Sequence, residues 1–122
     1  MVQDYRIEGS IVFFGVEDLE QTDSFYRQHL GLTLDRDQQV CRIYSVPGGG
    51  RLGFCSHLPV FQDKKGAIIT LLTDDVDAFY RQLKERGLSL AGEPERNEKF
   101  NIYHFFLEDP DGYLVEIQTF LD

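Results

Sequence analysis

The sequence predicts an α+β fold built from two tandem βαβββ modules, and three observations carry that reading. Short apolar runs open each half at Ile11-Val12-Phe13-Phe14-Gly15-Val16 and Ala67-Ile68-Ile69-Thr70-Leu71-Leu72. Each run is followed by an acidic helix start, Glu17-Asp18-Leu19 and Asp74-Asp75-Val76, and then by the tetrapeptide FYRQ, at Phe25–Gln28 and again at Phe79–Gln82. The chain closes on Glu108-Asp109-Pro110-Asp111-Gly112-Tyr113-Leu114-Val115-Glu116-Ile117, which reads as a turn running into a strand. A supersecondary unit recurring in this order signals internal duplication.

Residues 1–9 are polar and end in Gly9, a lead-in. The run 11–16 is short enough for a buried strand. Asp18 offers an N-cap, Glu20 sits in the first turn, Leu19, Phe25, Tyr26 and Leu30 supply the apolar side of a helix, and Gly31 ends it. Residues 32–37, 41–46 and 51–56 are strand candidates, the last two joined by a loop, Pro47-Gly48-Gly49-Gly50. These glycines precede a strand, with no helix and no Lys-Ser/Thr behind them, so they make a turn and not a phosphate cradle. Setting Val46 opposite Arg51 places Arg42, Tyr44, Gly53 and Cys55 on one face and Cys41, Ile43, Leu52 and Phe54 on the other. A linker, 58–65, separates module 10–57 from module 66–119 within one domain spanning 1–122.

The closing hairpin is the most determined part. Pro110 fixes φ at one turn position and Gly112 supplies a positive φ at another, so residues 109–112 form a type I turn with a glycine bulge. Asp109 then faces Tyr113, Phe106 faces Glu116 and His104 faces Gln118. Tyr103, Phe105, Leu107, Val115 and Ile117 make a core face. His104, Phe106, Leu114, Glu116 and Gln118 make the other, where apolar bulk is mixed with a carboxylate, an imidazole and an amide, as the wall of a small-molecule pocket requires.

Composition narrows the partners. The chain has 122 residues, 42% of them hydrophobic, and a formal charge of -9 from 12 Lys+Arg against 21 Asp+Glu, with no basic stripe. A polyanion would be repelled, which argues against nucleic acid and anionic membrane and is compatible with a cationic ligand. Cys41 and Cys55 lack CxxC spacing, so buried free thiols in a reducing cytoplasm are the expectation. No stretch has the length or hydropathy of a membrane span or signal peptide.

The twofold repeat, the helix start and EDPDGYLVEI together resemble the vicinal oxygen chelate superfamily, which includes glyoxalase I, bleomycin-resistance proteins and extradiol dioxygenases. The resemblance covers about residues 10–119. It implies mixed sheets curled into a cup with the helices outside, and a homodimer. Chelating members place a histidine seven positions before the helix-start Asp, which falls on Ile11 in the first module and Ile68 in the second. A further carboxylate ligand falls near Gly53, and the final glutamate is retained as Glu116. One carboxylate does not hold a divalent ion, so no metal and no cofactor are expected.

Strand parity then predicts a cup lined by Ile11, Phe13, Arg42, Tyr44, Arg51, Gly53, Cys55, Ile68, Thr70, His104, Phe106, Leu114, Glu116 and Gln118. Glu116 is the central candidate. Desolvated in an apolar cup it would be a protonated donor or the seat of a ligand cation, unless it simply pairs with Arg42 or Arg51. His104 could donate or act as base, or be a satisfied structural group. Tyr44 and Phe106 could stack on a flat ligand or merely fill the cup. Cys55 would be reactive only with Arg42 or His104 beside it. The function expected is metal-independent binding of a cationic or planar small molecule. The alternative is a glyoxalase-type lyase or isomerase, or a dioxygenase-like enzyme, using Glu116 and His104 with or without a divalent metal, so whether the chain is an enzyme stays open. A third reading, a regulatory module sensing a metabolite, has no residue in its favour.

Overall fold

A computed structural model of the chain describes residues 6–63 and 66–122. The lead-in 1–9 and the linker 58–65 lie partly outside the described residues. The chain divides into two compact units, residues 1–61 and 62–122. The first comprises β1 (Val12–Gly15), α1 (Leu19–Asp23) continuing into a π-helical segment (Ser24–His29), β2 (Thr33–Asp37), β3 (Cys41–Val46) and β4 (Gly50–Cys55). The second comprises β5 (Ile68–Leu72), α2 (Val76–Glu85), β6 (Glu95–Asn97), β7 (Ile102–Glu108) and β8 (Leu114–Phe120).

Each unit is a four-stranded mixed sheet, in the order β1-β4-β3-β2 in the first and β5-β8-β7-β6 in the second. In both, the opening strand runs parallel to the last and the remaining pairs are antiparallel. The duplication expected from the sequence is therefore reproduced strand for strand. β6 has no counterpart among the sequence expectations, because Glu95-Arg96-Asn97 is a short polar edge strand with no apolar run to mark it.

The literal FYRQ repeat is not the structural repeat. Phe25 lies seven residues after its N-cap Asp18, whereas Phe79 lies four after Asp75. From cap to the positive-φ glycine the first module runs thirteen positions, Asp18 to Gly31, and the second twelve, Asp75 to Gly87. The π-helical segment absorbs the additional residue, with Leu30 N donating to Phe25 O at 3.0 Å. It turns Phe25 and Tyr26 toward the sheet, where the Tyr26 ring stacks on Phe54 at 4.4 Å between centroids. In the second unit Tyr80 meets Phe105 edge to face at 5.3 Å, and Val76 and Leu83 are the buried helix positions. The aromatic residues of both copies thus pack helix on sheet, at different helical positions.

The β3–β4 hairpin departs from expectation by one residue. Its loop is Pro47-Gly48-Gly49, and Val46 pairs with Gly50, Tyr44 with Leu52 and Arg42 with Phe54. Gly48 and Gly49 both take positive φ, 96° and 102°, and Gly49 N donates to Val46 O, so a three-residue connection closes where a four-residue loop was expected. A one-residue slip moves every side chain of one strand to the other face. Arg42 and Tyr44 therefore lie on the helix side with Phe54, while Cys41 and Ile43 share the opposite face with Gly53, Cys55 and Phe13.

Gly53 belongs to this packing. A Cβ there would run into the ring of Phe13, its partner on β1, and a Cβ on Gly15 would run into the backbone of Leu58 and Pro59. Gly53→Ala is expected to lower stability by about 1–3 kcal/mol through overpacking, and Phe13→Leu to restore part of that loss, because a side chain can retreat. Gly15→Ala should be destabilising with no such rescue. Chemical denaturation of the three variants and the double variant measures both.

Candidate functional site

The closing hairpin builds the site. β7 and β8 pair with Phe106 opposite Glu116 and His104 opposite Gln118, the register that the turn predicts. The turn is held by Asp109, whose Oδ1 accepts from Asp111 N and Tyr113 N, both at 2.9 Å, while Gly112 at φ 85° donates to Asp109 O. Asp109 and Asp111 thus act as turn residues. On the parallel side Thr70 of β5 sits beside Glu116 and Ile68 beside Leu114. Ile69 and Leu71 are buried on the helix side, so Ile68 and Thr70 share a face with Glu116 and Gln118.

At the centre, Glu116 is 7% exposed and fully engaged. Its Oε2 lies 2.6 Å from His104 Nδ1, and its Oε1 accepts from Thr70 Oγ1 at 2.8 Å. With the Gln118 amide turned so that its NH2 faces the acid, that group donates to both carboxylate oxygens at 3.1 Å. In the neutral imidazole this contact places the proton on Nδ1, facing the carboxylate, and leaves Nε2 as the acceptor. The Glu116 partners are therefore His104, Thr70 and Gln118, and neither arginine considered from sequence. Arg51 instead faces Asp35 at 3.7 Å, and Arg42 pairs with Glu20 at 2.7 Å.

A cleft of about 440 Å³ opens over this group, lined by Ile68, Asn97, Phe100, Ile102, His104, Phe106, Glu116, Gln118 and Phe120. Ile68, Phe100 and Phe120 are each at least half exposed. The Phe106 ring meets the imidazole edge to face at 5.0 Å, which fixes the ring plane of His104. Asn97, Phe100, Ile102 and Phe120 were missed from sequence. Phe120 and Ile102 share the parity of the residues that were found, so extending each strand by one pair would have included them; Asn97 and Phe100 come from the edge strand β6 and the turn after it, which carried no signal.

Of the remaining candidates, Ile11, Phe13, Arg51, Gly53 and Cys55 belong to the first unit. Tyr44 and Arg42 are corrected. Tyr44 is wholly buried on the helix side, and its hydroxyl donates to Asp23 Oδ1 at 2.6 Å. Asp23 also receives Arg27, whose guanidinium reaches Oδ2 at 2.7 Å. Cys55 is not a free thiol: it is joined to Cys41 by a disulfide, across the closely spaced antiparallel pair that the corrected register creates. Arg42 lies on the other face of the sheet, and the imidazole near this pair is that of His57.

A scan of protein families matches residues 10–117 to the Glyoxalase/Bleomycin resistance protein/Dioxygenase superfamily, and the chain belongs to it. Solved structures similar to it include a glyoxalase/bleomycin resistance protein/dioxygenase from Nocardioides, 19% identical, covering 99% of this chain and 88% of that one with a TM-score of 0.74. Another of the same description, from Alicyclobacillus acidocaldarius, is 20% identical over 94% of this chain and 92% of that one, TM-score 0.76. A superfamily member from Sphaerobacter thermophilus is 25% identical over 93% and 98%, TM-score 0.75. No curated protein matches the chain. These likenesses share the fold.

The divalent ion implied for chelating members of this superfamily does not fit the donors around Glu116. They comprise one imidazole already bonded to the acid, one hydroxyl and one amide, with the aliphatic Ile68 at the position of a ligand. Among the described residues the grouping of three His, Cys, Asp or Glu donors lies elsewhere, at Cys41, Cys55 and His57.

The Asp23 network has a pH signature. The Arg27 hydrogen bonds hold the Asp23 carboxyl below its usual 3.8, outweighing the opposing effect of burial. A carboxylate whose folded-state pKa is depressed stabilises the fold above its unfolded pKa, and that contribution disappears as pH falls through the lower, folded value. Asp23→Asn is therefore expected to cost about 1–3 kcal/mol at neutral pH, and the gap to the parent should close below about pH 4. Urea unfolding at a series of pH values checks this; a gap that persists at low pH would assign the loss to packing.

Proposed function

We propose that the chain is a metal-independent small-molecule-binding protein, acting as a cytoplasmic homodimer, whose cleft over β7 and β8 takes a cationic, flat molecule. The observation that carries the reading is a buried carboxylate held by an imidazole, a hydroxyl and an amide beneath exposed phenylalanines. Among the described residues the cleft lining holds a carboxylate and no lysine or arginine. In a cleft of low polarity, within a chain of net charge -9, that favours a cation over an anion. The Nε2 lone pair left by the tautomer suits an N–H donor on the ligand, and Phe106, Phe100 and Phe120 suit its ring. The absence of Trp from the chain favours a compact ligand over an extended stacked one.

A second reading rests on the same 2.6 Å contact. A carboxylate that fixes the tautomer of an imidazole makes an acid–base pair, so the dyad could move a proton on a bound substrate in a lyase or isomerase reaction. Calorimetric titration of planar aromatic cations and their anionic counterparts separates the possibilities. Binding reads on the first: at least one cation should bind more tightly than about 1 mM, anions more weakly, and Glu116→Gln should weaken the cation tenfold or more. Equal affinity for both charges, or no binding by any member, would overturn it. Turnover of a bound compound that is abolished by His104→Ala without loss of affinity would establish the second.

A further inference from the structure

The first unit carries a second polar cluster that the cleft does not use. Cys41 and Cys55 oppose each other on β3 and β4, with Cα atoms 4.1 Å apart. Ser56 N donates to Val40 O, so the two cysteines form a pair without hydrogen bonds of its own, the type in which opposing side chains come closest. His57 follows Cys55 by two residues, just past the end of β4, and its Nδ1 lies 3.7 Å from Cys41 Sγ. The two sulfurs and the imidazole nitrogen all lie within 4.8 Å of one another. The cysteines are buried and His57 is exposed, so the cluster is apolar behind and open in front.

We propose that, once its disulfide is reduced, this cluster is a binding site for a thiophilic d¹⁰ metal ion of the Zn²⁺ kind, with Cys41 Sγ, Cys55 Sγ and His57 Nδ1 as ligands and a fourth position open to solvent. Tetrahedral zinc with bonds of about 2.3 Å to sulfur and about 2.0–2.1 Å to nitrogen sets ligand atoms about 3.8 Å apart for two sulfurs and about 3.6 Å for sulfur and nitrogen. The Cys41–His57 spacing of 3.7 Å already has that value. Two thiolates and an imidazole are a donor set that zinc prefers, whereas the set at Glu116 is one acid with an imidazole already bonded to it, a hydroxyl and an amide.

Reduction and metal binding are linked. A cellular monothiol of the glutathione class would cleave the S–S bond in two exchanges, two RSH giving up two electrons and two protons to yield the two cysteine thiols and one RSSR. Zn²⁺ then displaces both thiol protons, forming two Zn–S bonds and releasing two H⁺. The ion binds the dithiol and not the disulfide, so it holds the pair in its reduced form.

The test uses the full chain, oxidised and after reduction with a phosphine reductant that is then removed anaerobically. Zn²⁺ titrated against a chromogenic chelator should show one ion per reduced chain with a Kd below about 10 μM, and none at that affinity for the oxidised chain. His57→Ala should weaken binding tenfold or more, and the Cys41→Ser and Cys55→Ser variants should lose it. Co²⁺ substitution gives a second readout, a thiolate-to-cobalt charge-transfer band that the reduced parent shows and that the oxidised chain and either serine variant lack. Equal binding by oxidised protein, binding that survives both serine variants, or indifference to His57→Ala would overturn the site. So would loss of the circular dichroism spectrum on reduction that Zn²⁺ does not restore.

Discussion

The structure of each half depends on which residues face each other across an antiparallel pair. In the closing hairpin that choice is made by one side chain. The Asp109 carboxylate accepts from the backbone N–H groups of Asp111 and Tyr113, pins the turn, and so places His104, Phe106, Glu116 and Gln118 on one face of β7 and β8. Everything at the candidate site follows from that parity: the imidazole reaches the acid because the two strands are in this register and in no other.

The two carboxylates at the middle of the units show how environment assigns different work to the same chemistry. Asp23 is met by a guanidinium and a phenol on the helix side of its sheet, is held in its charged form and ties helix to strand. Glu116 is met by an imidazole, a hydroxyl and an amide and looks onto a cleft with exposed aromatic rings. An acid satisfied by a permanent cation is a structural tie. One satisfied by an imidazole and two neutral donors keeps charge available to a ligand, which is why the second is the better functional candidate.

The first hairpin shows the reverse dependence. A run of one proline and three glycines is compatible with loops of three or four residues, and nothing in the residues themselves selects between them. The difference of one residue sends Tyr44 and Arg42 to the helix and brings Cys41 against Cys55. A pair that looked like two unrelated thiols becomes a bonded pair with a histidine beside it.

Sequence alone determined the duplicated βαβββ order, the register of the closing hairpin, and with it the grouping of Ile68, Thr70, His104, Phe106, Leu114, Glu116 and Gln118, because a proline–glycine turn and period-two alternation are local signals. It could not distinguish the literal FYRQ echo from the true repeat, since the tetrapeptide stands seven residues after one helix cap and four after the other and only the helix frame shows that these are different positions. Only the tertiary structure decided the partners of Glu116, the side of the sheet taken by Arg42 and Tyr44, the contribution of the polar strand β6 to the cleft, and the meeting of Cys41, Cys55 and His57. Each of these depends on contacts between strands distant in the chain, and such contacts are set by packing that no window of neighbouring residues encodes.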